Sequence, residues 1–162
     1  MVDLRFPTAL QLMLSLALAN SQGVQTVTSA KLAKGVAANP SLVRKLLVPL
    51  VRSGLVVSVM GKKGGVRLGR AAAEITLGDI YHAVVGGKQL WPLRRDSPHS
   101  CLVSTNMVQF FESVAAEADS AVRAVLGNLT LEQSLGQLRQ LAHQKARSVR
   151  GARLQGRARS RA

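Results

Sequence analysis

Three groups of residues in this 162-residue chain have types and spacings that can do chemistry. Ser41, Arg44 and Lys45 follow Asn39-Pro40 at intervals that put them on one side of a helix starting at Pro40. A hydroxyl, a forked guanidinium and an ammonium there suit base edges and phosphates. Arg44 is the candidate for a bidentate contact to guanine, worth about 1–3 kcal/mol of discrimination. The second group is Gly61-Lys62-Lys63-Gly64-Gly65, with Arg67 just beyond it. It is not a nucleotide loop, because there Gly-Lys precedes Ser or Thr and then a helix, whereas Lys63 and a strand follow here. Cations on a glycine-framed turn instead suit the backbone and minor groove of a duplex, and the glycines let the main chain turn tightly near phosphate. Ser29, at the start of a short helix, either offers its hydroxyl to phosphate or simply caps that helix. The third group is Cys101, close in sequence to Arg94, Arg95 and His99 and near the start of a long helix. Those neighbours favour a thiolate and hence a redox switch; the plain alternative is an inert small hydrophobe.

The same inventory excludes much. One cysteine leaves no internal disulfide, no cysteine-rich zinc site and no four-ligand iron–sulfur set. His82, His99 and His143 are scattered, so neither metal nor cofactor is expected. No glycine-framed serine elbow and no carboxylate pair argues for an enzyme. Aromatics are 3%, too few for a base-stacking platform. No signal peptide is visible: the apolar start from Phe6 to Ala19 follows Asp3, is broken by Pro7, Thr8, Gln11 and Ser15, and is too short to span a bilayer. A reduced, cytoplasmic setting follows as the expectation.

The net charge of +14 is unevenly placed. Between Leu4 and Ala73 lie Arg5, Lys31, Lys34, Arg44, Lys45, Arg52, Lys62, Lys63, Arg67 and Arg70, with no acid. Acids outnumber bases from Glu74 to Leu138, and from Arg139 onward the chain is basic again without an acid. The pattern suggests a polyanion partner, against the alternative of a merely solvated basic surface.

Apolar periodicity and capping residues supply the elements that position these groups. Phe6 to Asn20 reads as a helix with Leu10, Met13, Leu14, Ala17 and Leu18 inward. Val24–Val27 reads as a short extended link, and Thr28 or Ser29 caps a short helix through Val36. Asn39 caps the next helix, with Leu42, Val43, Leu46, Leu47 and Leu50 inward, a kink expected near Pro49 and a stop at Gly54. Leu55–Met60 and Val66–Leu68 form a hairpin, and Thr76 caps a helix that Gly86-Gly87 closes. A long helix from about Thr105 to Leu126 carries an apolar stripe including Phe110, Phe111, Val114 and Val122. One exposed helix cannot bury that stripe, whereas a symmetric partner can. Thr130 begins a last helix with Leu131, Leu135, Leu138 and Leu141. Beyond about Ala146 the basic tail reads as disordered; it adds DNA affinity, touches RNA or has no function. Trp91 and Leu93 line an effector pocket or simply pack in the core, and the effector is not identified by the residues.

Helix, helix, helix and hairpin is the order of a winged helix-turn-helix. The chain further resembles the Rrf-type family of bacterial winged-helix transcription regulators, which includes IscR, NsrR and CymR. The likeness covers roughly residues 5–138 and is carried by Asn39-Pro40-Ser41-Leu42-Val43-Arg44-Lys45-Leu46-Leu47, Gly54-Leu55-Val56, Gly61 to Leu68, and Glu74-Ile75-Thr76-Leu77-Gly78-Asp79-Ile80-Tyr81. Arg5-Phe6 and Cys101-Leu102-Val103 look most like its YwnA/HypR branch. The resemblance implies a homodimeric, sequence-specific regulator of double-stranded DNA, a repressor on a palindromic operator. In that reading Ser29, Ser41, Arg44, Lys45, Lys62, Lys63, Gly64 and Arg67 meet DNA. Phe110, Phe111, Val114 and Val122 form the dimer interface, and Cys101 is the candidate redox switch. Two departures stand out: cluster-binding members have three cysteines before the long helix, and many members have an arginine where Met60 stands. The expected architecture is mainly α with a small β-hairpin wing. Residues 1–87 are the winged helix-turn-helix, 88–104 a loop, 105–145 the dimerisation helices and 146–162 the tail. A nucleoid-like, weakly specific DNA-binding protein is the runner-up, and a protein-interaction module with an incidental basic surface the third class.

Overall fold

The computed structural model describes residues 3–61, 64–86 and 101–159, with side chains through Ser148. Lys62, Lys63, Trp91, Leu93, Arg94, Arg95 and His99, singled out above, lie outside the described residues.

The first helix, α1 (Arg5–Ser21), buries Ala9, Leu12, Met13, Leu16 and Ala17. Leu12 and Leu16 were not in the expected stripe, and Leu18, which was, is exposed. The reason is location: α1 touches four other helices and the hairpin, so it buries more than a single stripe. In α2 (Ser29–Gly35) the N-cap is Thr28, whose hydroxyl accepts the Lys31 N–H at 3.2 Å; Ser29 is the first helical residue. In α3 (Pro40–Arg52) the Asn39 side chain accepts the Ser41 N–H at 2.8 Å and Pro40 occupies the first turn, where its missing N–H costs nothing. The helix continues through Pro49 to Arg52, and the Ser53 N–H closes on the Pro49 carbonyl at 3.0 Å.

Strands β1 (Val56–Val59) and β2 (Gly65–Leu68) pair antiparallel, from Val56 opposite Leu68 to Val59 opposite Gly65. Val27 adds a third edge by exchanging hydrogen bonds with Val66 at 2.9 and 2.8 Å. The link expected at Val24–Val27 therefore ties the helical layer to the wing. A side chain at Gly64 would put its Cβ 2.5 Å from the Val59 carbonyl oxygen and 2.7 Å from that of Gly61. Gly64 is needed for the turn itself, which its N–H closes on Gly61 at 2.8 Å.

Helix α4 (Leu77–Val85) starts in a capping box: Thr76 Oγ1 accepts the Asp79 N–H and an Asp79 carboxylate oxygen accepts the Thr76 N–H, both at 3.0 Å. Its Tyr81 meets Phe6 of α1 edge to face, centroids 5.3 Å apart. The long helix α5 (Leu102–Gly127) begins three residues before the expected Thr105, because Cys101 and Ser104 form a reciprocal cap. Helix α6 (Leu131–Arg159) runs past Ala146, where a disordered tail was expected; alanine, arginine and glutamine are good helix formers and outweigh Gly151 and Gly156.

The start of α6 belongs to the N-terminal body. The Leu131 N–H bonds to the Ile75 carbonyl at 2.9 Å, the Leu77 N–H to that of Leu129 at 2.8 Å, and the Glu132 N–H to that of Ala72 at 3.2 Å. Leu131 and Leu135 sit in one core with Leu12, Leu50, Leu55, Ile75 and Ile80. The chain thus leaves the body through α5 and re-enters it at Leu131.

Candidate nucleic-acid interface

One side of α3 holds the helix in the core through Val43, Leu46, Leu47 and Leu50. The opposite side exposes Ser41, Arg44, Lys45, Val48 and Arg52. Leu42, expected inward, is also exposed, because it falls between the two faces. Between α3 and the hairpin lies an open cleft of about 570 Å³, whose walls include Ser29, Arg44, Val48, Arg52, Ser58 and Gly65. The fold thus brings Ser29 and Arg44, 15 positions apart in sequence, to one cleft. Arg52, expected with Ser41, Arg44 and Lys45 on or near the outward face, was not named as a contact, and Val48 and Ser58 were missed by the sequence reading. The steps from Arg44 to Val48 to Arg52, four residues each, were the available signal for Val48.

Arg67 is exposed on β2, with its guanidinium donating to the Leu68 carbonyl at 3.3 Å. Lys31 and Lys34 are exposed on α2. Among the described residues the ion pairs tie Arg5 to Asp3, Arg70 to Asp79 at 3.5 Å and Arg123 to Asp119 at 2.7 Å. Arg44, Lys45 and Arg52 enter none of them, so their charge is available to an external anion. With no acid from Leu4 to Ala73, nothing in this stretch offsets the positive potential over α2, α3 and the wing.

The apolar stripe of α5 divides in two. Phe111 and Val122 are half-buried on the side of Ala115, the one fully buried residue of the helix, and this side meets α4. Phe110 and Val114 lie about a quarter-turn away and are exposed, Phe110 by 63%. Val103, Met107 and Val125 continue that exposed row, while Leu138 and Leu141 are exposed on α6. Phe110 and Phe111, neighbours in sequence, point about 100° apart on the helix.

A model of the Rrf2 family, described as "Iron-dependent Transcriptional regulator", matches residues 2–137. The chain belongs to the Rrf2 family. This is a family of transcription regulators, not enzymes, and the helices with a two-stranded wing are its fold. A candidate HTH-type transcriptional regulator, YwgB of Bacillus subtilis (strain 168), is 34% identical over 90 residues, 52% of this chain and 58% of YwgB. The chain thus spans less than two thirds of that relative. The solved structure of Staphylococcus aureus CymR is similar at 27% identity and a TM-score of 0.61, covering 82% of this chain and 96% of CymR; an oxidised form of it is also solved. CymR (YrzC), the global cysteine regulator of B. subtilis, shares the fold at 23% identity and a TM-score of 0.61, over 85% of this chain and 97% of its own.

The iron in the family description does not fit the donors of this Rrf2 chain. Among the described residues no group of three or more His, Cys, Asp or Glu side chains converges, and the sequence holds one cysteine where an iron–sulfur cluster usually needs four protein ligands. Cys101 itself is exposed at the N-cap of α5. Its Sγ lies 3.4 Å from Ser104 Oγ and accepts the Ser104 N–H at 3.5 Å. The Ser104 hydroxyl, then the backbone N–H groups of Ser104 and Val103, hold the thiol below its usual pKa. The expected help from Arg94, Arg95 and His99 lies outside the described residues. No helix among the described residues is long and apolar enough to cross a membrane.

Proposed function

We propose that this Rrf2-family chain is a homodimeric, sequence-specific repressor of transcription. Its α3 enters the major groove of double-stranded DNA while its wing follows the adjacent backbone. One observation carries the reading: the exposed side of α3 presents Ser41, Arg44 and Lys45 beside a cleft shared with Ser29 and the hairpin, in a stretch of 70 residues without an acid. Arg44 and Lys45 read base edges, Ser41 and Ser29 hold phosphate, and Lys62, Lys63 and Arg67 contact backbone and minor groove. Gly64 shapes the turn that carries the two lysines.

Dimerisation follows from the uncovered row of α5. Phe110 and Val114 are too apolar to face water along several turns, and a second copy related by a two-fold axis covers them with the same row. A two-fold dimer meets a palindromic operator with two half-sites. Phe111 and Val122 support the interface from behind by fixing α5 on α4. The thiol of Cys101, exposed at the root of the dimerisation helix, gives the repressor a point of oxidative control. Its placement in the YwnA/HypR branch rests on Arg5-Phe6 and on Cys101-Leu102-Val103.

The test is to sequence genomic DNA retained by the purified protein, then titrate wild type and Arg44→Ala on a recovered site and its scrambled version. The expected result is a palindromic site preferred by wild type, with Arg44→Ala losing about 1–3 kcal/mol of that preference. Tight binding with a steep salt dependence and no preference would replace the repressor by the nucleoid-like reading. No DNA binding at all would leave a protein-interaction module.

A further inference from the structure

The basic stretch at the end of the chain is not used by the winged-helix reading. From Gln133 to Ala162 there is no acid, and from Arg139 on there are Arg139, Lys145, Arg147, Arg150, Arg153, Arg157, Arg159 and Arg161. The backbone is helical to Arg159. Arg147, Arg150, Arg153 and Arg157 recur in the sequence at intervals of three and four, and no carboxylate lies within the segment, so neutralisation of its charge has to come from outside it.

The segment is also held in place at its root. Leu131 and Leu135 are in the core, and the Arg139 guanidinium donates to Ser21 Oγ at the end of α1 at 2.9 Å. From Arg139 to Arg159 a helix extends about 30 Å, close to one turn of duplex DNA.

We propose that α6 from Arg139 onward is a second DNA-binding element, a basic helical arm that lies along the phosphate backbone of duplex outside the region contacted by α3 and the wing. The segment's own composition selects duplex backbone over other polyanions. It has no Phe, Tyr or Trp on which unpaired bases could stack, which disfavours single-stranded RNA. Its apolar residues beyond Ala142 are Ala146, Val149, Ala152, Leu154, Ala158 and Ala162, without the bulky face that inserts into a lipid surface. It shares its sign with the α3 and wing surface, so both halves of the molecule attract the same polymer. Because phosphate binding needs charge and not base geometry, the arm adds affinity without sequence preference.

The experiment uses the full chain, a 40-base-pair mixed-sequence duplex and a salt titration. In the variant Arg147→Gln, Arg150→Gln, Arg153→Gln, Arg157→Gln, the slope of log affinity against log salt should flatten by about 0.9 for each phosphate that the arm ceases to neutralise, up to about 3.6. Affinity near physiological salt should fall about tenfold or more. The matching four-fold Arg→Lys variant should keep the wild-type slope, and circular dichroism of the Gln variant should still show the folded body. An unchanged slope in the Gln variant overturns the proposal. So does a loss confined to a 40-nucleotide single-stranded RNA or to phosphatidylglycerol vesicles, with duplex binding intact. Sequence preference on recovered genomic sites, read in parallel, depends on Arg44 and not on the arm, so failure of this inference is distinguishable from failure of the repressor reading.

Discussion

In the winged-helix body the apolar residues cover one another. Leu12 and Met13 of α1, Val43 and Leu50 of α3, Leu55 before β1, Ile75 and Ile80 are all essentially inaccessible to water. In α5, which is longer than any helix of that body, Ala115 alone is buried, and Phe110, Val114 and Val125 are exposed on the far side. Helix α6 spans both situations, with Leu131 sealed in the body and Leu138 and Leu141 open. The body is thus a complete folding unit, closed by a segment more than forty residues downstream of α4. The outer side of α5 is an apolar row that the chain itself leaves uncovered.

Substitutions at a few positions break or sharpen that contrast. The largest effect is expected at Leu131→Ala. It opens a cavity where α6 enters the core and should cost about 2–5 kcal/mol by urea denaturation, against well under 1 kcal/mol for the same change at the exposed Leu141. If Leu131→Ala were neutral, α6 would not be part of the body.

Phe110→Glu comes next and acts on assembly, not folding. The variant should stay folded by circular dichroism and run as a monomer in light scattering at concentrations where wild type is a dimer, because the interface would have to desolvate a charge at a cost of several kcal/mol. Phe111→Glu, half-buried on the Ala115 side, should instead lower the unfolding midpoint. A wild-type monomer at high micromolar concentration would refute the role given to the outer row.

A smaller change is expected at Thr76→Ala. The capping box there also orients the strand-like pairing of Thr76 with Thr130, so its removal should cost about 1 kcal/mol, read as a lower urea midpoint with unchanged slope.

The smallest effect is chemical. Hydrogen bonds to the Cys101 sulfur favour the thiolate, so its pKa is lowered and alkylation by iodoacetamide should persist below the pH range of an ordinary thiol. Ser104→Ala removes the largest of these bonds. The pKa should rise, and the alkylation rate at neutral pH should fall severalfold, with a loss of stability of about 1 kcal/mol or less from the removed half of the cap. If Ser104→Ala left the pH profile of alkylation in place, the cap would not control the thiol. Operator affinity before and after mild peroxide, in wild type and Cys101→Ser, then shows whether the thiol also controls binding.

Much of this was legible in the residues because the signals are local. Asn39-Pro40 starts α3, Thr76 with Asp79 starts α4, and the glycines between Met60 and Val66 turn the hairpin. Each is a backbone hydrogen-bonding or steric requirement satisfied within a few positions. The exposed Ser41, Arg44 and Lys45 follow from the same helix, since fixing which residues go inward also fixes which face out. The uneven charge needs no structure at all.

The tertiary structure decided what depends on partners distant in sequence. Periodicity marked an apolar stripe on α5 but not where its two sides go, because only α4, packed on one of them, divides Phe111 and Val122 from Phe110 and Val114. Nothing near Leu131 announces that it closes a core built from residues 9–84; a leucine pattern in a late helix fits a dimer seam equally well. The link at Val27 became a sheet edge only because Val66 was brought beside it, with Gly65 small enough to permit the approach. Sequence by itself determined which residues prefer water, and the packing of distant segments decided which of the others the chain could hide alone.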